Sequence, residues 1–315
     1  MKIVQQKKIY PLTFLDRLIQ SIKERESNLC IGLDPDLRLL PMTLRSSSKS
    51  IAEKFEIFCK GIIEATAQHC CSFKFQAAMF ASEACEELLS DIIKWVKLKY
   101  PSHIVIFDGK RGDIGNTSIH YAKEAFERFQ SDVATVSPFM GEDSIRPFLD
   151  WKDKGIFLLC STSNPGAEYM QGSIHSEKGL EQKLFFKTAL LAEKLNKEIM
   201  SNDKKQSSSL NQTEMVGLVV GANRDYHLNI LKKRFKNIPL LIPGIGAQGG
   251  TVKKLINSID LPQEKKSGGF QAPHIINVSR SVIYAGSNED WIDCAASESE
   301  KLKNELLIFK NVIVR

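Results

Sequence analysis

The chain has 315 residues, 43% of them hydrophobic and 25% charged, a balance that can fill a large core and argues against disorder. No apolar run approaches the roughly 18 residues of a membrane span, and the opening MKIVQQKKIYPLTF lacks the apolar block and cleavage site of a secretory leader. The net charge of +6 is spread along the helical segments and suits a small anionic substrate as well as it suits nucleic acid, so a cytosolic protein bound to neither membrane nor nucleic acid is expected.

The first predicted element is a helix over about 13–25. Thr13 and Asp16 form a capping pair there, and Phe14, Leu15, Leu18, Ile19 and Ile22 make one stripe. Short apolar runs follow at 29–33, 72–75, 103–107, 132–136, 156–160, 216–220, 238–242 and 274–278, with helix-length segments between most of them. Parallel strands joined by crossover helices fit this rhythm, and eight such units close a barrel. The expectation is one α/β domain over 1–315, a (β/α)8 barrel with its core at about 29–284 and an extra N-terminal helix. The polar stretch 201–214 follows a helix ending near Met200 and reads as a surface insertion, as does 262–273. The seven cysteines (30, 59, 70, 71, 85, 160 and 294) form no CxxC pair and read as reduced core residues. The six histidines show no metal-ligand spacing, so no metal site is expected.

Catalytic groups of such a barrel sit at the C-terminal ends of its strands. Strand one ends in Asp34, and strand two carries Lys74 between Phe73 and Phe75. Burying that lysine unpaired would be costly. A side-chain period of two turns it into the barrel mouth, toward Asp108 of strand three, and leaves the two phenylalanines facing the outer layer; snorkelling through the helical layer is the alternative. Asp108-Gly-Lys110-Arg-Gly-Asp113 follows strand three, ahead of a helix expected near Asn116 and Thr117. A lysine between two carboxylates keeps all three groups ionised even where water is excluded, although a surface ion pair would have the same spacing. Strands five and six run into STSNPG (161–166) and GAN (221–223), and strand seven into PGIGAQGG (243–250). Glycines such as Gly244 and Gly246 let backbone N–H groups approach an anion, and Arg280 after strand eight can grip phosphate oxygens.

Taken together, LCIGLDPD (29–36), FKFQAAMF (73–80), FDGKRGDIGNT (107–117), STSNPG, VGLVVGAN (216–223), PGIGAQGG and NVSRS (277–281) resemble the orotidine 5′-monophosphate decarboxylase family, notably the branch of many bacteria and some protozoa. The resemblance implies a cofactor-independent homodimer that converts orotidine 5′-monophosphate to UMP, the last step of de novo pyrimidine nucleotide synthesis. Lys74, Asp108 and Lys110 would come from one subunit, and Asp113 and Thr117 would reach into the neighbour's site. Asp34 and Lys74 would bind ribose hydroxyls, and Ser163 the pyrimidine edge, with Thr162 and Asn164 beside it. Gln248 and Arg280 would hold the phosphate. One departure is Gly109, where the family commonly has alanine or a methionine-like residue, and the spacing tolerates it.

Two rival readings remain at this level. Related barrels use the same Asp-x-Lys-x-x-Asp array with magnesium on sugar phosphates, but they need an acidic pair where strand two offers Lys74 and Gln76. A catalytically silent nucleotide-binding barrel has no physical reason to gather two lysines and two aspartates. No fused orotate phosphoribosyltransferase is expected within the chain, and a separate partner of that kind stays open.

Overall fold

The computed structural model describes residues 12–172, 179, 183–206, 215–245, 252, 255 and 272–307, with 202–206 as backbone. Eight parallel strands close into a barrel in sequence order. They are β1 (Leu29–Leu33), β2 (Ser72–Gln76), β3 (Ile104–Arg111), β4 (Val133–Val136), β5 (Gly155–Ser161), β6 (Val216–Val220), β7 (Leu240–Pro243) and β8 (Ile275–Val278). The closing seam pairs β8 with β1, Cys30 standing opposite Asn277. The longer helices are α1 (Phe14–Arg25), α2 (Ile51–Thr66), α3 (Glu86–Lys99), α4 (Gly115–Lys123), α5 (Leu184–Gln206), α6 (Asp225–Arg234) and α7 (Trp291–Leu306). Between β4 and β5 the crossover consists of two short 3-10 turns, Glu142–Ser144 and Arg146–Asp150.

Strand alternation divides the apolar residues into two cores. Outward-facing Phe73, Phe75, Val105, Phe107, Ile156 and Leu158 pack against the helices. Inward-facing Cys30, Ile104, Ile106, Val133, Phe157, Leu241 and Ile275 fill the barrel's lower half together with Phe14, Leu18 and Ile22 of α1. The N-terminal helix therefore floors the barrel. Thr13 caps it through the reciprocal pair with Asp16 that the sequence predicts. Phe14 meets Phe157 edge-on at 6.0 Å, and a Cβ on Gly155 would come within 2.4 Å of the Phe14 ring.

An ion cluster fastens this floor. Asp132, fully buried just before β4, accepts hydrogen bonds from Arg17 of α1 (2.5 Å), Lys97 of α3 (2.6 Å) and the Val105 backbone N–H (2.9 Å). Burial opposes its charge, but Lys97 and Arg17 outweigh that cost and hold the carboxyl below its ordinary range.

Two expected boundaries shift. Helix α5 does not end near Met200 but continues to Gln206. Its last turns contain lysines and glutamine, with no glycine or proline to stop them. Residues 207–214 and 262–271 lie outside the described residues. Strand β3 runs on through Arg111, because a bulge lets it re-pair with β4 beyond Lys110.

Candidate active site

With its lower half packed, the barrel opens at the C-terminal ends of its strands into a cleft of about 520 Å³. Asp34, Lys74, Asp108, Lys110, Ser163, Asn164, Gly244 and Arg280, all anticipated from sequence, line it. Asp108 is the hub. Its buried carboxylate accepts from Lys74 Nζ (2.8 Å), Lys110 Nζ (2.7 Å) and Thr135 Oγ1 (2.8 Å). Lys74 also faces Asp34 at 3.5 Å. Oriented to satisfy both its polar atoms, the Gln76 amide donates to the Asp108 carbonyl oxygen (2.7 Å) and accepts from Lys110 Nζ (3.1 Å).

The electrostatics follow from this geometry. Burial alone would raise the Asp108 pKa, but Lys74 and Lys110 overcome it and hold the carboxyl well below the usual carboxylate range. Burial likewise works against a charge on Lys74, yet Asp108 and then Asp34 keep that ammonium well above the ordinary lysine value. Lys110 differs in access. Its side chain is 45% exposed, against 6% for Lys74, so it can meet a ligand in the cleft.

The loops that carry the other groups are braced from behind. The Tyr284 hydroxyl accepts from the Asp36 N–H (2.7 Å) and donates to the Asp34 carbonyl (3.0 Å), fixing the β1 loop. Arg224 donates to the carbonyls of Thr162 (2.8 Å) and Asn164 (2.9 Å), and Asn223 to that of Ser163 (2.9 Å). Asn223 of the GAN segment and the arginine after it thus support the loop after β5, while Gln171 accepts from the Thr162 N–H (2.8 Å).

Some expected residues are not in this cleft. Asp113 lies in the β3–α4 loop, accepting from the Ile114 N–H (2.7 Å), and Thr117 is exposed on the first turn of α4; neither lines the cleft of its own chain. Gly246 and Gln248 lie outside the described residues. Sequence reasoning missed Thr135 and gave Gln76 no positive role. Inward polarity is visible for both, Gln76 after Ser72 and Lys74 on β2 and Thr135 on the otherwise apolar β4, but their roles depend on contacts that the sequence does not display. Six cysteines are buried and Cys294 is half-buried. Burial pushes the Cys30 thiol up to about 12, which disfavours a nucleophilic role.

The model of the orotidine 5′-phosphate decarboxylase / HUMPS family matches residues 27–291. The chain belongs to this family. An orotidine 5′-phosphate decarboxylase of Delftia acidovorans is 37% identical over 94% of this chain and 98% of its own length. One from Ralstonia nicotianae is 36% identical over 95% of this chain and 100% of its own. The solved structure of Leishmania donovani OMP decarboxylase superposes with a TM-score of 0.68 at 29% identity, covering 94% of this chain and 99% of that one. The chain is accordingly an enzyme of the decarboxylase family, on the barrel that its strands build. Among the described residues no helix is long and apolar enough to cross a membrane.

Proposed function

We propose that the chain decarboxylates orotidine 5′-monophosphate to UMP and CO2, with Lys110 both stabilising the developing charge and delivering the proton. The observation that carries this reading is Asp108, buried at the open end of a floored barrel and bonded to both Lys74 and Lys110. Breaking the bond from C6 to the carboxylate leaves an electron pair in an in-plane orbital that no neighbouring carbonyl can accept. A fixed ammonium beside C6 stabilises that pair without reorganising at the moment of reaction. Proton transfer from Lys110 to C6 then completes UMP, and water reprotonates the amine.

Binding far from C6 supplies the orientation. Arg280 and Gly244 on the opposite wall are assigned to the phosphate, together with Gly246 and Gln248, and Asp34 and Lys74 to the ribose hydroxyls. Ser163 and Asn164 on the braced β5 loop are assigned to the base. Inward positions of β2 hold Lys74 and Gln76, a cation and an amide where a magnesium-dependent relative needs carboxylates.

Asp113 and Thr117 are assigned to the site of a second copy in a cytoplasmic homodimer. In support, Ile114, Ile119, Phe139 and Met140 are apolar side chains left exposed, and the first two lie in the same segment as Asp113 and Thr117. The test is an absorbance assay of orotidine 5′-monophosphate with the purified chain, with and without EDTA. Turnover that withstands the chelator supports the proposal, and turnover that requires added magnesium contradicts it. Mixing Lys110→Ala and Asp113→Ala subunits should restore activity, and no recovery on exchange would contradict the shared site.

A further inference from the structure

Strand β4 alternates Val133 and Thr135 inward with Ala134 and Val136 outward. Val133 packs into the lower barrel, whereas Thr135 opens one layer higher, at the floor of the cleft. The β3–β4 ladder breaks at that level. Phe107 stands opposite Ala134, and the next matched pair is Arg111 with Val136, so Asp108, Gly109 and Lys110 together face the single residue Thr135. Beyond the bulge the ladder resumes, the Ser137 N–H donating to the Arg111 carbonyl (2.7 Å).

A bulge leaves backbone groups unpaired and twists the chain locally. Here it places Lys110 at a φ of 48°, the left-handed region that a residue with a side chain rarely occupies. The Lys110 N–H has no strand partner and donates instead to Thr135 Oγ1 (3.0 Å). The same hydroxyl donates its hydrogen to Asp108 Oδ1 (2.8 Å), the oxygen that also receives Lys110 Nζ (2.7 Å). Thr135 is only 2% exposed, so neither bond competes with bulk water. The bulge has little other freedom, because a Cβ on Gly109 would come within 2.5 Å of the Phe107 ring.

We propose that Thr135 is a positioning residue for Lys110: one hydroxyl holds the lysine's left-handed backbone and orients the carboxylate that aims its ammonium. The proposal rests on the assignment of Lys110 to the chemistry. Packing alone does not account for threonine at 135, since valine has the same shape and β-preference. What valine lacks is the donor and acceptor in one atom. With valine the Lys110 N–H loses its partner inside the protein and the backbone is released toward ordinary φ values.

The test compares Thr135→Val and Thr135→Ser in the full chain, measuring turnover of orotidine 5′-monophosphate and UMP affinity. Thr135→Val should lower kcat about 10- to 100-fold, as a small misplacement of a reacting group does, while leaving UMP affinity within about threefold. Thr135→Ser, which keeps the hydroxyl, should recover kcat to within about threefold of the parent. Unchanged kcat in Thr135→Val, an equal loss in UMP affinity, or a serine variant as slow as valine would each overturn the proposal. If Thr135→Val does not fold, Thr135→Cys takes its place, with a sulfur too weak as donor and acceptor to replace the hydroxyl; the same kcat loss is expected, and parental kcat would overturn the proposal. Lys110→Ala run alongside separates the two ideas. Surviving turnover there overturns the role of Lys110 and this proposal with it, whereas a dead Lys110→Ala beside a normal Thr135→Val overturns Thr135 alone.

Discussion

The barrel carries two buried aspartates, each hydrogen-bonded to two cationic side chains, one at its floor and one at its mouth. Asp132 binds Arg17 and Lys97, which reach it from α1 and α3, and caps a closed apolar plug. Asp108 binds Lys74 and Lys110, which belong to the strands themselves and line an open cleft. Both carboxyls are held below their ordinary range for the same reason, two cations outweighing burial. A depressed carboxyl pKa alone therefore does not mark a functional site. What separates the pair is access and strain: the mouth has a half-exposed ammonium on a left-handed backbone, and the floor has neither.

The largest effect expected from this contrast is on turnover. Asp108→Asn should reduce kcat by about 10²- to 10³-fold, because Lys74 and Lys110 lose the anion that orders them. Steady-state kinetics would show it, and a kcat close to that of the parent would erase the distinction between mouth and floor. Asp132→Asn should do the reverse. It leaves Arg17 and Lys97 without a carboxylate and should cost about 3–5 kcal/mol of stability, with kcat per folded molecule unchanged. Denaturant titration measures the loss.

The pH dependence of that loss has a definite sign. A carboxyl with a depressed folded pKa stabilises the fold above its unfolded value and loses the contribution as pH falls toward the folded one. The gap between parent and Asp132→Asn should thus be constant near neutrality and shrink below about pH 4. A gap that widens in acid would contradict the ionised floor.

Next in size is Arg280→Ala, expected to weaken UMP binding about 10- to 100-fold by removing a charged donor from the phosphate. Calorimetry reads this directly, and unchanged affinity would remove Arg280 from the phosphate seat. The smallest effect is Tyr284→Phe. Loss of the hydroxyl that ties Asp36 N–H to the Asp34 carbonyl should cost about 1 kcal/mol of stability and raise KM a few-fold. An unaltered KM would show that the β1 loop holds Asp34 without that tie.

The sequence made much of this frame legible because parallel barrel strands are nearly continuous apolar runs. All eight runs became strands, and the period of two rightly sent Lys74 inward with Phe73 and Phe75 outward. Thr135 stayed hidden because its role depends on a ladder slip between β3 and β4, and no residue pattern displays a register break. Asp132 reads in the sequence as the first residue of a strand, while its cations lie on distant helices. Gly109 illustrates the same limit. Spacing alone shows only that the motif tolerates glycine there, whereas the structure places the Phe107 ring where a Cβ would go.

In the proposed reaction the ammonium of residue 110 performs the chemistry while the rest of the mouth holds it and its substrate. Lys110→Ala assayed by absorbance with orotidine 5′-monophosphate tests it most directly. A folded protein that still binds UMP and has lost at least about 10⁴-fold in kcat is the predicted result. Turnover within about tenfold of the parent enzyme would contradict it.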